Sequence, residues 1–320
     1  MNRRSLLATT LAPAFGAAQA QTVAQNVRLI VPFAPGGTVD ILARLLAEAL
    51  APLIGGRSVV VENRSGGGTF IAMQAVSSSP PDGHTLAIAS TAVLATTPVL
   101  PGAPAPIDVD LALQPVTNLI RLPLMLVGNP RAPYRTVQEL IAYGRANPGR
   151  LNIGQSGAGS LTHLLAARFA LETGIAMEQI QYRGGTPALV DVMTGTADLY
   201  FSLLPESLPY IRDGRLRAIV TTAPAPVPAM PEIPVMKDVL PGFVSDIGYG
   251  MVAAPGTPPE WIAFWNGVLS RAYERPVVQE RMRQLLWEPA LNGPEGYREE
   301  ILVMRRTWEP IIRAAGIRAN

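Results

Sequence analysis

The sequence predicts an α/β protein built mainly on parallel strands, and three observations carry that prediction. Short apolar runs alternate with amphipathic helical segments along almost the whole chain. Two of the strand-to-helix turns, at residues 36–38 and 156–160, are made of glycine and hydroxyl residues. The remaining length, roughly 300 residues once a leader is removed, exceeds one comfortable hydrophobic core and asks for two domains or one large unit. In sheets of this kind ligand sites lie at the carboxyl ends of the strands.

The first strand is the apolar run Val27-Arg-Leu-Ile-Val31, and the helix after it carries Val39, Leu42, Leu45, Leu46, Ala49 and Leu50 on one stripe. The turn between them, Pro32-Phe-Ala-Pro-Gly-Gly-Thr38, brings free backbone N–H groups to a helix start, and its glycines let a ligand approach the backbone. Thr38 is the expected N-cap. Residues 57–61 read as a strand, 62–68 as a second glycine loop, 69–78 as a helix and 85–89 as a strand. Residues 90–114, rich in Pro, Ala and Thr, give little signal, and 122–127 is again strand-like. Thr136-Val-Gln-Glu139 has capping-box spacing, and Asn147-Pro-Gly149 ends the helix it opens. Residues 151–154 then run into Gln155-Ser-Gly-Ala-Gly-Ser160, and the following helix carries Leu161, Leu164, Leu165 and Phe169. Residues 180–182, 197–201, 217–221 and 249–254 are further strands. A helix starts at Thr186-Pro187, and the chain is mostly helical from Pro258 onward.

Arg3-Arg4, an uncharged stretch over residues 5–18 and the small-x-small site Ala18-Gln-Ala20 form a secretory signal peptide. Its sequence also suits twin-arginine export. The exported protein is expected to begin near Gln21 and to work in the periplasm. The full chain has 26 Lys+Arg against 24 Asp+Glu, and the leader holds two of the arginines, so the exported part balances. Such a chain offers no basic face for nucleic acid. It contains no cysteine and only His84 and His163, which removes thiolate chemistry and a multi-histidine metal site. No metal or cofactor is expected.

Enzyme chemistry finds little support. Gly154-Gln-Ser-Gly-Ala158 nearly spells a nucleophile elbow, but its last position is alanine and His163 lies too close in the same helix. The run Gly157-Ala-Gly-Ser-Leu-Thr162 fails the dinucleotide fingerprint, and no P-loop lysine follows either glycine turn. His84 and the scattered acids Asp40, Asp191 and Asp198 read as turn, cap or surface residues on spacing alone.

An ordered set of short motifs is far more specific than any one of them. It comprises Val31-Pro-Phe-Ala-Pro-Gly-Gly-Thr-Val-Asp40 with Ala43-Arg44, Val61-Glu-Asn-Arg-Ser-Gly66, Pro81-Asp-Gly83 and Ser156-Gly-Ala-Gly-Ser160 with His163. It continues through Gln181-Tyr-Arg-Gly184, Pro187-Ala-Leu189, Gly195-Thr-Ala-Asp198, Gly214-Arg-Leu-Arg-Ala218, Pro231-Glu-Ile-Pro234 and Ala254-Pro-Gly-Thr-Pro258. Over nearly its whole exported length the chain resembles the Bug-type periplasmic substrate-binding proteins of tripartite tricarboxylate transporters. The resemblance implies a two-lobed, type II periplasmic-binding-protein fold, its lobes joined by two crossing strands, with a small carboxylate held in the cleft. The strand pattern puts one lobe at residues 21–123 plus 248–320 and the other at 124–247, with crossings at 124–127 and 249–254. The implied ligand-binding set is Phe33, Pro35, Gly36, Gly37, Thr38, Asp40, Gly67, Thr91, Ser156, Gly157, Ala158, Gly159, Ser160, His163 and Asp198. Implied partners are the transporter's membrane components, with the protein itself a monomer. A sensor presenting the same ligand class is the alternative, and a hydrolase the third reading.

Three departures from the family pattern bear on the ligand. Gly66-Gly-Gly-Thr69 followed by Ala72 changes one edge of the pocket. Ser202 stands where an acid or amide is often found, and Ile247-Gly-Tyr-Gly-Met251 lacks the usual tryptophan.

Overall fold

The computed structural model describes residues 23–65, 69–103, 112–157 and 159–319. The expected leader, Gly67 and Ala158 lie outside the described residues. Strands β1 (Val27–Val31), β2 (Val59–Asn63) and β3 (Thr85–Ser90) are parallel neighbours in the order β2-β1-β3. Each is followed by a helix: α1 (Thr38–Leu50), α2 (Phe70–Ser77) and the short α3 (Thr91–Thr96). β1 is apolar at every position except Arg28, whose guanidinium spans to Glu62 of β2 at 2.7 Å.

One strand links the two halves of the sheet. β4 (Gln114–Gly128) is 15 residues long, not the six that its sequence suggests. Its first part pairs antiparallel with β9 (Asp246–Ala253), up to the pair Pro123–Asp246. From Leu124 onward it pairs with β7 (Leu199–Leu203) and β8 (Arg217–Thr221). β7 continues to β5 (Leu151–Gln155) and β6 (Met177–Gln181), which are parallel to each other. Helices α4 (Val137–Ala146), α5 (Leu161–Thr173), α6 (Gly185–Thr194) and α7 (Leu204–Arg212) connect these strands. The Thr136–Glu139 capping box at α4 is formed on both sides, as its spacing predicts.

Two large apolar cores sit on either side of the hand-over at Pro123. One gathers Val31, Leu42, Leu46, Ile88, Met251 and Trp265. The other gathers Leu126, Leu164, Phe169, Phe201 and Phe243. After α8 (Pro259–Tyr273), α9 (Pro276–Gln284) and the two-residue β10 (Glu288–Pro289), helix α10 (Gly293–Ala314) reaches both halves. Its Tyr297 and Ile301 pack with Ile30, Ala87 and Val252. Its Trp308 and Ile312 belong to the Phe169 core. A division of the chain at Gly248 therefore leaves the end of α10 packed on the opposite half. A helix of 22 residues spans about 33 Å, enough to bridge the two.

The hand-over carries a polar cluster. Arg121 of β4 pairs with Glu300 of α10 at 2.8 Å and lies 3.9 Å from Asp246. Burial pushes the Asp246 carboxyl from its ordinary 3.8 up to about 6; Arg121 opposes this, while Glu300 and Glu288 add to it. A carboxyl whose folded pKa is raised contributes stability below its unfolded value, and that contribution is lost as pH rises through the folded one. Asp246 should therefore cost the fold up to about 3 kcal/mol between pH 4 and pH 7. Asp246→Asn is expected to raise the urea midpoint at pH 8 and to leave it nearly unchanged at pH 4. An equal shift at both values would contradict this origin.

Candidate functional site

The turn before α1 is fixed from below by one carboxylate. Gly36 has φ +87°, a region open to glycine, and its N–H donates to Asp40 Oδ2 at 2.9 Å. The same buried carboxylate accepts from Arg44 Nε at 2.9 Å and Nη2 at 3.0 Å, and from Asn63 Nδ2 at 2.9 Å. The Arg44 bond foremost, then those from Gly36 and Asn63, hold its pKa down to about 2 against the opposing effect of burial. Asn63 also donates to the Phe33 carbonyl at 3.0 Å. Asp40 thus holds the turn from beneath and lies off the cavity wall among the described residues. The helix cap falls on Gly37 instead of the expected Thr38, and no side chain caps it. The N–H groups of Gly37, Thr38 and Val39 consequently have no partner among the described residues.

The turn before α5 is built differently. Ser156 N donates to Thr162 Oγ1 at 2.8 Å, Gly159 N to His163 Nδ1 at 3.1 Å, and His163 N to the capping Ser160 Oγ at 3.3 Å. Most of its donors are spent inside the loop, so it offers hydroxyls in place of a row of free N–H groups. His163 holds the loop: Nδ1 accepts a hydrogen bond, which requires a deprotonated nitrogen, and burial lowers its pKa. Ser156 Oγ lies 3.0 Å from Thr162 Oγ1, and no histidine contacts it among the described residues. The nucleophile–base pair of a serine hydrolase is not assembled here.

Both turns open onto one cavity of about 590 Å³. Phe33, Gly37, Thr38, Ser156, Gly157, Gly159 and Ser160 line it. Pro35 and Gly36 lie in the first turn but off the wall. Thr91 is fully buried behind it, with its hydroxyl facing Gly248. Asp198 is the clear misplacement. It precedes β7, at the end of the sheet away from the cavity, about 16 Å from the carboxyl ends of the strands. There Asp198 and Asn152 exchange two hydrogen bonds of 2.8 Å.

Other lining residues fall outside the ligand-binding set implied by the sequence. Thr69 and Phe70 start α2, and Ser90 caps α3. Gly184 and Gly185 start α6, again with no side-chain cap. Tyr200, of β7, faces the hydroxyls of Ser156 and Thr162, and Glu206 projects from the first turn of α7. The Gly184-Gly-Thr-Pro187 run was the available signal for α6, a further glycine helix start. Nothing in the spacing marks Glu206. Leu100, Leu124, Leu161, Leu203, Ile247 and Tyr249 make the rest of the wall largely apolar.

The cavity is therefore ringed by helix N-termini, a consequence of their following the carboxyl ends of the strands. No lysine or arginine lines it among the described residues, and Glu206 is its only acid. Such a ring favours an anion through aligned dipoles and free N–H groups without a buried counter-ion. Among the described residues no group of three potential metal ligands occurs, and no helix is long and apolar enough to cross a membrane.

Comparisons with known proteins agree with this geometry. Residues 42–317 match the sequence pattern described as "Tripartite tricarboxylate transporter family receptor". Protein BugT of Bordetella pertussis is 33% identical over 296 residues, covering 92% of this chain and 90% of the relative. Among solved structures, an R. palustris protein with adipate aligns at TM-score 0.83 and 30% identity, covering 93% of this chain and 99% of that one. MatC from Rhodopseudomonas palustris with bound malate aligns at TM-score 0.78 and 26% identity, covering 90% and 99%. The chain belongs to the tripartite tricarboxylate transporter receptor family, whose members are periplasmic solute-binding proteins with this α/β fold.

Proposed function

We propose that this protein captures a small carboxylate in its cavity and delivers it to the membrane components of a tripartite tricarboxylate-type transporter. The observation that carries the reading is a ring of helix N-termini that, among the described residues, holds no lysine or arginine and leaves three N–H groups at α1 without a partner. A helix N-terminus contributes ~0.3–2 kcal/mol to a nearby anion, and each hydrogen bond to a charged group ~1.5–3 kcal/mol. Thr38, Ser156 and Ser160 hydroxyls complete the shell. In this reading the protein is a monomer without catalytic activity, metal or cofactor, and its leader is removed at Ala20 on export to the periplasm. The halves on either side of Pro123 act as lobes, residues 21–123 plus 248–320 and residues 124–247, which close on the ligand. Closure follows from gripping one molecule on both sides, and the closed form is what a membrane partner recognises. Adipate and malate in structures of relatives support the ligand class.

The test is a thermal-shift panel of four- to eight-carbon carboxylates, each beside its neutral primary amide. At least one carboxylate should raise Tm by several degrees, with or without chelator, and its amide should not. No shift from any carboxylate, or equal shifts from acid and amide, would overturn the reading.

A further inference from the structure

Among the described residues one acid lines the cavity, Glu206, and it stands without the partners that usually surround a carboxylate. Glu206 is the third residue of α7, where a glutamate commonly reaches back to the cap N–H, yet α7 has no side-chain cap bond. None of the described residues donates a hydrogen bond to it, and no cation influences it; burial alone moves its pKa, upward. Its carboxylate lies over the start of α6, because a Cβ at Gly185 would stand 2.7 Å from Glu206 Oε2 and 3.0 Å from the Tyr200 hydroxyl. Gly185 thus leaves the space that this carboxylate fills. Two of the facing helix starts are therefore unequal. The one at α1 is open to an incoming anion, whereas the one at α6 already carries the protein's own acid.

We infer that Glu206 sets the chemistry of the ligand's second end, selecting a carboxylate that also carries a protonated amine over one that carries a second carboxylate. The inference rests on the carboxylate-capture reading above and extends it. The α1 turn, Leu100, Leu124, Leu161 and Glu206 line one cavity, so in this reading a ligand held by its carboxylate at α1 lays its apolar body on the leucines and turns its far end toward Glu206. An ammonium group there supplies the counter-charge that Glu206 lacks. A second carboxylate meets a like charge in a partly desolvated wall and has no lysine or arginine among the described lining residues to turn to.

Calorimetry at pH 8 with matched pairs tests this: β-alanine against malonate, 4-aminobutanoate against succinate, 5-aminopentanoate against glutarate, and 6-aminohexanoate against adipate. In the tightest-binding pair the amino acid should bind at least tenfold more tightly than the diacid. Glu206→Gln, which keeps the shape and removes the charge, should weaken the amino acid at least tenfold and strengthen the diacid. The melting temperature of the unliganded variant should not fall. A diacid preference in the parent, or a ratio unmoved by Glu206→Gln, overturns the role of Glu206 and leaves carboxylate capture standing. If neither series binds, the inference fails, and capture itself fails only if the wider acid and amide panel is also silent.

Discussion

Trp308→Ala is expected to lower the free energy of unfolding by about 3–5 kcal/mol, the usual cost of deleting a large buried aromatic side chain. Trp308 is 2% exposed and sits in the Phe169 core, although it belongs to the helix that begins on the other half of the molecule. Arg168 stacks over Phe243 at 4.4 Å and faces Trp308 at 6.0 Å, while donating to the Gly242 carbonyl and to Glu172. Removing the indole takes away one wall around that guanidinium as well as the packing. The loss should appear as a lower urea midpoint with little change in slope. A loss below about 1 kcal/mol would mean that the end of α10 does not carry the second core, since surface substitutions stay within roughly that range.

Asp40→Ala should be nearly as costly, at about 3 kcal/mol, and should also weaken ligand binding. One carboxylate serves Gly36, Arg44 and Asn63, so its removal leaves an N–H and an amide without their acceptor. The turn that presents Gly37, Thr38 and Val39 then loses its anchor, and the donors lose their alignment. Asp40→Asn keeps one acceptor and should lose less of both. The folded pKa lies below the ordinary 3.8, so this contribution is present above about pH 4 and fades as pH falls toward 2. Urea unfolding at pH 7 together with calorimetry of a bound carboxylate measures both effects. An Asp40→Ala protein that unfolds at the parent's urea concentration would show that the turn stands without its clamp.

How much of this was legible in the sequence depended on whether the signal was local. β1, the glycine turn and α1 follow from adjacent residues: an apolar run, two glycines and a stripe of period 3.6. The Thr136–Glu139 capping box is equally local. The ordered motifs carried the family and the fold. The through-strand β4 was cut short at its start, where Pro115 and the polar Thr117, Asn118 and Arg121 break up the apolar run. In the structure Pro123 falls at the hand-over from β9 to β7 and β8, where the ladder changes partners anyway. Helix α7 was hidden by Pro205 and Pro209, although a proline in the first turn is well tolerated. Small residues concealed α3 in the same way.

The candidate site was legible where backbone makes it and obscure where topology does. Both glycine turns reach the cavity, but sequence could not show that the second spends its donors on Thr162 and His163. The two turns read alike in sequence, but the structure has an open helix start at one and a loop of hydroxyls at the other. Asp198 was misplaced because a motif does not reveal which end of a strand it occupies. Glu206 was missed because a single acid in a helix turn has no periodic signature. Its position matters only once β7, α6 and α7 are assembled.

The measurement that reaches the central claim most directly is a crystal structure of the protein with whichever carboxylate stabilises it most. The account predicts that the carboxylate oxygens lie about 2.7–3.1 Å from N–H groups of Gly37, Thr38 or Val39. Hydroxyls of Thr38, Ser156 or Ser160 should be in contact, directly or through water, with no lysine or arginine in reach. A carboxylate paired with an arginine, or seated away from the start of α1, would contradict it.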